Sequence, residues 1–207
     1  MQTFLRLVAA TAVMLLFQII TYFGSEIFQK DPHNVLTKAD SRIPFLPATA
    51  LIYSLWFPLI AVFPVLLFYA DIKVYGIYIT AMVLDIIVSV IIYLIYPTSF
   101  VRPVPPDTAA GRIMKIIYTG SYRGLNCAPS LHCSSCMLII ICSIAAPGLG
   151  VLLRAVCIIV SAGIVISTMT TKQHALVDFL TAIPMAILSY AAGCLFPAAL
   201  LADWILR

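Results

Sequence analysis

Two short polar stretches of this sequence carry residue types that could do chemistry together. The first reads LNCAPSLHCSSC over 125–136 and contains His132; the second reads STMTTKQHALVD over 167–178 and contains His174 and Asp178. A separation of four residues on a helix would place His174 and Asp178 on one face, within hydrogen-bond reach. A carboxylate that accepts from one imidazole nitrogen leaves a lone pair on the other, which makes the ring a nucleophile or a base.

The residues around His132 have the pattern of a helix start. Ser130 follows a proline and is a good N-cap, so the free backbone N–H groups of the first turn would point outward and could hold an anion. His132 would lie in that turn. The alternative is an interfacial histidine whose ring lies among lipid headgroups.

A third candidate is Arg102, within the proline-rich stretch YPTSFVRPVPP at 96–106. Prolines restrict the chain to extended conformations, and the forked guanidinium donors match phosphate oxygens. The alternative is an arginine that only extends its charge toward water at a membrane boundary. The HCSSC fragment could suggest a metal site, but no other Cys/His pair has ligand spacing, so no metal is expected.

The elements that must position these residues are apolar helices. Of the 207 residues, 63% are hydrophobic and 10% are charged, whereas a soluble domain has about 25% charged residues. We therefore expect an all-α, polytopic membrane protein forming one domain over 1–207. A span needs about 20 apolar residues, and six candidates form a predicted six-helix bundle: 7–23, 47–70, 74–96, 130–146, 149–168 and 175–201.

Six spans would bring the candidate residues to one edge of the membrane. The loops at 24–46, 97–129 and 169–174 would share one side, and they carry most of the cations: Lys30, Lys38, Arg42, Arg102, Arg112, Lys115, Arg123 and Lys172. A carboxylate such as Asp178 in a span costs about 2.5–3.5 kcal/mol, which favours a functional role for it. An anion clamp, a helix N-terminus, a proton donor and an oriented nucleophile would together suit metal-independent phosphoryl transfer.

The three stretches resemble the type-2 phosphatidic acid phosphatase superfamily of membrane lipid phosphatases. The resemblance covers about 80 residues and consists of Arg102-Pro103, Pro129-Ser130-Leu131-His132, and Ser167-Thr168-x5-His174-x3-Asp178. The family has a lysine, a glycine and an arginine where this chain has Ile95, Leu131 and Thr168. PSLH and TKQH are similar to the branch that includes inositol-phosphotransferase-type sphingolipid synthases.

The resemblance implies roles for eight residues. His174 attacks phosphorus and becomes a phosphohistidine, Asp178 orients it, and His132 protonates the leaving group. Phosphate would be held by Arg102, Ser130, Leu131, Lys172 and Arg123, with the last two restoring missing positive charge. The expected activity is hydrolysis of a lipid phosphate or diphosphate, of the phosphatidic acid, phosphatidylglycerol phosphate or polyprenyl diphosphate class, without a cofactor.

Other functions remain open at this point. A phosphotransferase would move a phospho-headgroup to an acceptor alcohol, a lipid-binding protein with a decayed site would retain only binding, and a small transporter would be unrelated. The expected partners are a lipid phosphate and membrane lipids, not nucleic acid. Counting cations alone would place the site in the cytoplasm; the resemblance favours an extracytoplasmic site in the cell (inner) membrane.

Overall fold

The computed structural model describes residues 1–121, 123–195 and 204–206, and the chain is mostly helical. Between the helices lie two strands of two residues each, β1 (His33–Asn34) and β2 (Thr98–Ser99). Short 3-10 helices occur at Asp40–Arg42, Pro47–Thr49 and Pro147–Leu149. The helices are α1 (Gln2–Phe28), α2 (Ala50–Ser54), α3 (Trp56–Ala70), α4 (Ile72–Ile95), α5 (Ala109–Gly120), α6 (Leu131–Ala145), α7 (Val151–Thr170) and α8 (Leu176–Leu195).

Among the described residues, five helical segments are long and apolar enough to cross a membrane. They are Gln2–Phe28, Pro47–Ala70, Ile72–Ile95, Val151–Thr170 and Leu176–Leu195. The fourth predicted span, 130–146, contains the 15-residue α6, which would extend only about 22 Å. The prediction of six spans is therefore not confirmed, and residues 196–201 of the last predicted span lie outside the described residues.

Helix α6 lies at the centre of the bundle, in contact with α4, α7 and α8. Asp85 lies on α4 and accepts a hydrogen bond from Ser134 Oγ of α6 at 2.6 Å. Both side chains are fully buried. This bond links α4 to the helix whose first turn carries His132.

The loops after α1 and α4 are joined by a parallel pairing of β1 with β2, in which His33 lies opposite Thr98 and Asn34 opposite Ser99. The amphipathic helix α5 follows, capped by Thr108, whose hydroxyl accepts from the N–H of Gly111 at 3.1 Å. These loops meet at the end of the bundle where α6 and α8 begin, because Thr98 Oγ accepts from Ala128 N–H near the start of α6.

Candidate active site

His174 and Asp178 meet where the chain enters α8. Nδ1 of His174 lies 3.2 Å from Oδ2 of Asp178, and the same oxygen accepts from the N–H of Ala175 at 2.8 Å. Helix α8 begins at Leu176, so His174 lies in the preceding loop and not on the helix as predicted. The pair forms nevertheless, because Asp178 reaches back to the backbone ahead of its own helix.

The loop that carries His174 is held by the end of α7. The carbonyl of Thr168 accepts from the N–H groups of Gln173 at 2.9 Å and His174 at 3.1 Å. Lys172 has a positive φ of 54°, which turns the chain back toward the bundle. Thr168 is fully buried, and its carbonyl supports the histidine loop.

His132 lies directly against His174. Nδ1 of His132 is 3.3 Å from Nε2 of His174, and the ring centroids are 5.4 Å apart. Ser130 is the N-cap of α6, as predicted, and its hydroxyl accepts from the N–H of Cys133 at 3.2 Å. The N–H of Ser130 donates to the carbonyl of Asp178 at 3.1 Å, so the two histidine-bearing segments are tied together.

Two aromatic residues that the sequence analysis did not identify enclose His132. Tyr53 Oη lies 2.8 Å from Nε2 of His132, and the Trp56 ring centroid lies 4.2 Å from that of the imidazole. The Trp56 indole donates to Ser135 Oγ at 2.9 Å, one turn along α6. Aromatic residues in an apolar segment are usually core residues, so the sequence offered no signal to single these out.

The two histidines lie at one end of a largely apolar cavity of about 590 Å³. Helices α1, α2, α3 and α5 form most of its wall, and Leu131 of α6 contributes to it. Several wall residues are also exposed on the outside of the bundle: Ile19 at 53%, Phe23 at 47%, Phe57 at 58% and Ile116 at 73%. Apolar side chains with substantial exposure therefore form part of the cavity wall.

Polar side chains cluster beside the histidines on the α5 side of the cavity. Arg102 donates from Nη1 to the carbonyl of Ser121 at 2.9 Å and to its hydroxyl at 2.8 Å, and its guanidinium lies 5.3 Å from the Tyr118 ring centroid. Ser121 Oγ donates in turn to Gln173 Oε1 at 3.2 Å. Burial raises the pKa of Tyr118 to about 12, an effect that the nearby Arg102 charge opposes.

Two nitrogens in this cluster are buried without a partner among the described residues: Nε of Arg102 and Nε2 of Gln173. Both residues line the cavity beside His174. Buried donors are normally satisfied, so two free donors next to the candidate nucleophile make a suitable place for an anion. Gln173 was not identified from the sequence, although it directly precedes His174.

Three of the five predicted phosphate ligands, Ser130, Lys172 and Arg123, do not line the cavity. Lys172 Nζ donates to the carbonyls of Asp40 at 3.0 Å and Ile43 at 2.7 Å. Arg123 donates to the carbonyl of Glu26. Among the cavity-lining residues that the structure describes, Arg102 is the one lysine or arginine.

Asp40 connects the first polar loop to the histidine loop. Its Oδ1 accepts from the N–H of Leu176 at 2.7 Å, and its Oδ2 accepts from Thr37 N–H at 2.8 Å. Burial would raise the pKa of Asp40, but these hydrogen bonds and the charge of Lys172 hold it below its usual range. Burial lowers the pKa of Lys172, and Asp40 opposes that shift.

In the described part of the chain, no three His, Cys, Asp or Glu side chains are grouped so that they could hold a metal ion. Comparison with protein-family models found no match for this sequence, and comparisons with curated proteins and with solved structures found none either.

Proposed function

We propose that this protein is an integral membrane phosphatase that hydrolyses a lipid phosphate or diphosphate through a phosphohistidine at His174. The observation that carries the proposal is the position of His174: its Nδ1 faces the Asp178 carboxylate and its Nε2 faces His132 beside an apolar cavity. This is the arrangement of an oriented nucleophile next to a proton donor.

The first step forms a bond between Nε2 of His174 and phosphorus as the bond from phosphorus to the leaving oxygen breaks. The imidazolium form of His132 gives a proton to that oxygen and becomes neutral, and Asp178 stabilises the positive charge that develops on the His174 ring. In the second step His132 takes a proton from water as the water oxygen attacks phosphorus. The bond between phosphorus and nitrogen breaks, and inorganic phosphate leaves.

The separation of 3.3 Å between the two ring nitrogens leaves no space for a phosphorus centre between them. A substrate phosphate must therefore replace the hydrogen bond between His132 and His174. Arg102 and Gln173 line the cavity, and in this proposal their unpartnered donors turn toward the non-bridging oxygens when the phosphate enters. Together these donors carry one formal positive charge, that of Arg102. The N-terminus of α6 would therefore stabilise part of the negative charge that develops on the phosphate.

The apolar cavity suits the chain of a lipid whose phosphate reaches the histidines. Its exposed apolar wall residues, including Ile19 and Ile116, would let a chain move in from the bilayer without crossing water. The site would lie at the membrane edge, in the cell (inner) membrane with the histidines on the extracytoplasmic side.

The test is release of inorganic phosphate from a panel of lipid phosphates and diphosphates by the purified protein in detergent. We expect release from at least one substrate, with His174→Ala reduced to the background rate. A suitable folding control is Cys157→Ala, since Cys157 lies on α7 and does not line the cavity. Equal release by wild type and His174→Ala, or none from any substrate, would reject the proposal.

A lipid phosphotransferase is a second candidate, favoured by the burial of the nucleophile. His174 is only 7% exposed and Asp178 is fully buried. An apolar surrounding limits the access of bulk water, so the hydroxyl of a second lipid could accept the phospho-group instead. The same assay with diacylglycerol or ceramide as acceptor distinguishes the two, because a transferase forms product only when an acceptor is present.

A further inference from the structure

Both ring nitrogens of His132 have a partner in the structure. Nδ1 lies 3.3 Å from Nε2 of His174, and Nε2 lies 2.8 Å from the hydroxyl of Tyr53. With Asp178 at the other end, 3.2 Å from Nδ1 of His174, four side chains form a single series of hydrogen bonds. A neutral imidazole has one donor and one acceptor nitrogen, so the direction of one bond determines the rest.

Asp178 sets that direction. An ionised carboxylate only accepts hydrogen bonds, and Oδ2 of Asp178 already receives the N–H of Ala175. The proton of a neutral His174 must then be on Nδ1, which leaves a lone pair on Nε2. The partner of that lone pair, Nδ1 of His132, must carry a proton, and Nε2 of His132 must accept from Tyr53.

We propose that Tyr53 is a positioning residue that holds His132 in the tautomer with its proton on Nδ1. Its hydroxyl can donate to Nε2 while its ring stacks on the imidazole, with centroids 4.9 Å apart and an interplanar angle of 30°. Trp56 supports the imidazole by ring contact, but ring contact does not distinguish one tautomer from the other.

The consequence for catalysis rests on the proposed function. The proton would already be on the nitrogen of His132 that faces His174. A substrate phosphate bound at Nε2 of His174 would therefore meet the protonated nitrogen of the acid. His132 becomes the acid when Nε2 gains a proton and donates to the Tyr53 hydroxyl, which can also accept. Transfer of the Nδ1 proton from this imidazolium to the leaving oxygen then leaves a neutral ring.

The tautomer can be measured without any substrate. The sequence has three histidines, His33, His132 and His174, so ¹⁵N-histidine NMR spectra in detergent can be assigned with single His→Gln variants. At about pH 8, where an ordinary histidine is neutral, we expect His132 as the Nδ1–H tautomer. In Tyr53→Phe, which keeps the ring, we expect a smaller fraction of that tautomer, because Nε2 loses its donor while Nδ1 still faces Nε2 of His174. A wild-type His132 with its proton on Nε2 would overturn the inference.

Tyr75→Phe is the matched control. Tyr75 is fully buried on α4, and its hydroxyl has no partner among the described residues. We expect the His132 signals of Tyr75→Phe to equal those of wild type. If Tyr75→Phe changes the tautomer as much as Tyr53→Phe does, a general packing effect is responsible and the inference fails.

Activity provides the second measurement. We expect Tyr53→Phe to lower kcat by about tenfold, the effect of losing one hydrogen bond, with KM little changed. A variant whose tautomer changes while kcat equals that of wild type would overturn the positioning role. If wild type and every variant fail to turn over any substrate, the proposed function fails, while the NMR result still decides the tautomer.

Discussion

Nδ1 of His174 and Oδ2 of Asp178 lie 3.2 Å apart although only Asp178 belongs to helix α8. The carboxylate also accepts from the N–H of Ala175, so it holds both the backbone and the ring of the histidine loop. Orientation of the nucleophile and the structure of the chain around it therefore depend on one side chain.

The first prediction concerns Asp178→Asn. Asparagine retains the shape but loses the negative charge that orients His174 and stabilises its positive form. We expect kcat for phosphate release to fall by about 10³-fold or more, by analogy with the loss of a carboxylate from other histidine dyads. The measurement is single-turnover phosphate release, with size-exclusion chromatography in detergent to verify folding. A variant that retains at least a tenth of wild-type activity would contradict the role of the pair.

The second prediction tests whether Gln173 binds the anion. Gln173→Glu keeps an oxygen that can accept from Ser121 but replaces the free Nε2 donor with negative charge beside the histidines. We expect phosphate, used as a probe, to raise the melting temperature of wild type and to have no such effect on the variant. Thermal unfolding in detergent with increasing inorganic phosphate provides the measurement.

Gln18→Glu is the control for this substitution, because Gln18 lines the same cavity from α1. If the two variants lose phosphate stabilisation equally, the negative charge acts on the whole cavity, and a specific role for the Gln173 amide is excluded. If phosphate raises the melting temperature of Gln173→Glu as much as that of wild type, the Gln173 amide does not contribute to anion binding.

The third prediction concerns Lys172, for which the motif resemblance and the structure suggest different roles. Its ammonium donates to the carbonyls of Asp40 and Ile43 and does not line the cavity. We expect Lys172→Met to lower the free energy of unfolding by about 1–3 kcal/mol, because two hydrogen bonds from a charged donor are lost. The affinity for inorganic phosphate should stay within about twofold of wild type at a temperature where the variant is folded. A loss of affinity of tenfold or more would restore Lys172 as a phosphate ligand.

The apolar helices and the approach of His132 to His174 could be predicted from the sequence. Continuous apolar runs leave few alternatives to helices, since backbone groups in lipid must be satisfied within the segment. The motif spacing then placed both histidines at helix starts. The ends of α6 were also predictable, because Ser130 serves as its cap and Pro147 follows its end, but the 15 residues between them are fewer than a span needs.

The direction of long charged side chains could not be predicted. Counting charges placed Arg102, Arg123 and Lys172 at one edge, but the sequence does not show which cations bind backbone carbonyls; the structure assigns Arg123 and Lys172 to that role. The contacts of Asp40 were equally unpredictable. A carboxylate in a polar loop is usually solvated, whereas Asp40 is 6% exposed and accepts a hydrogen bond from the start of α8. Such contacts depend on how distant loops meet.

The fourth prediction uses the pH dependence of Asp40. Its pKa is held below the usual range, mainly because hydrogen bonds from Leu176 and Thr37 outweigh the opposing effect of burial. A folded pKa below the unfolded value means that ionised Asp40 stabilises the protein above the unfolded pKa of about 3.9. That contribution is lost as the pH falls through the lower folded pKa. We expect Asp40→Asn to reduce the free energy of unfolding by about 1–2 kcal/mol at neutral pH.

The difference between wild type and Asp40→Asn should stay constant above about pH 5 and shrink below about pH 4, because protonated Asp40 no longer accepts with both oxygens. Melting temperatures in detergent across this range provide the measurement. Asp107→Asn is the control: Asp107 is exposed and lies 3.9 Å from Lys115, so its replacement should change stability little at any pH. If the stability difference between wild type and Asp40→Asn is as large below the folded pKa of Asp40 as at neutral pH, the carboxylate charge does not hold the first polar loop to the histidine loop.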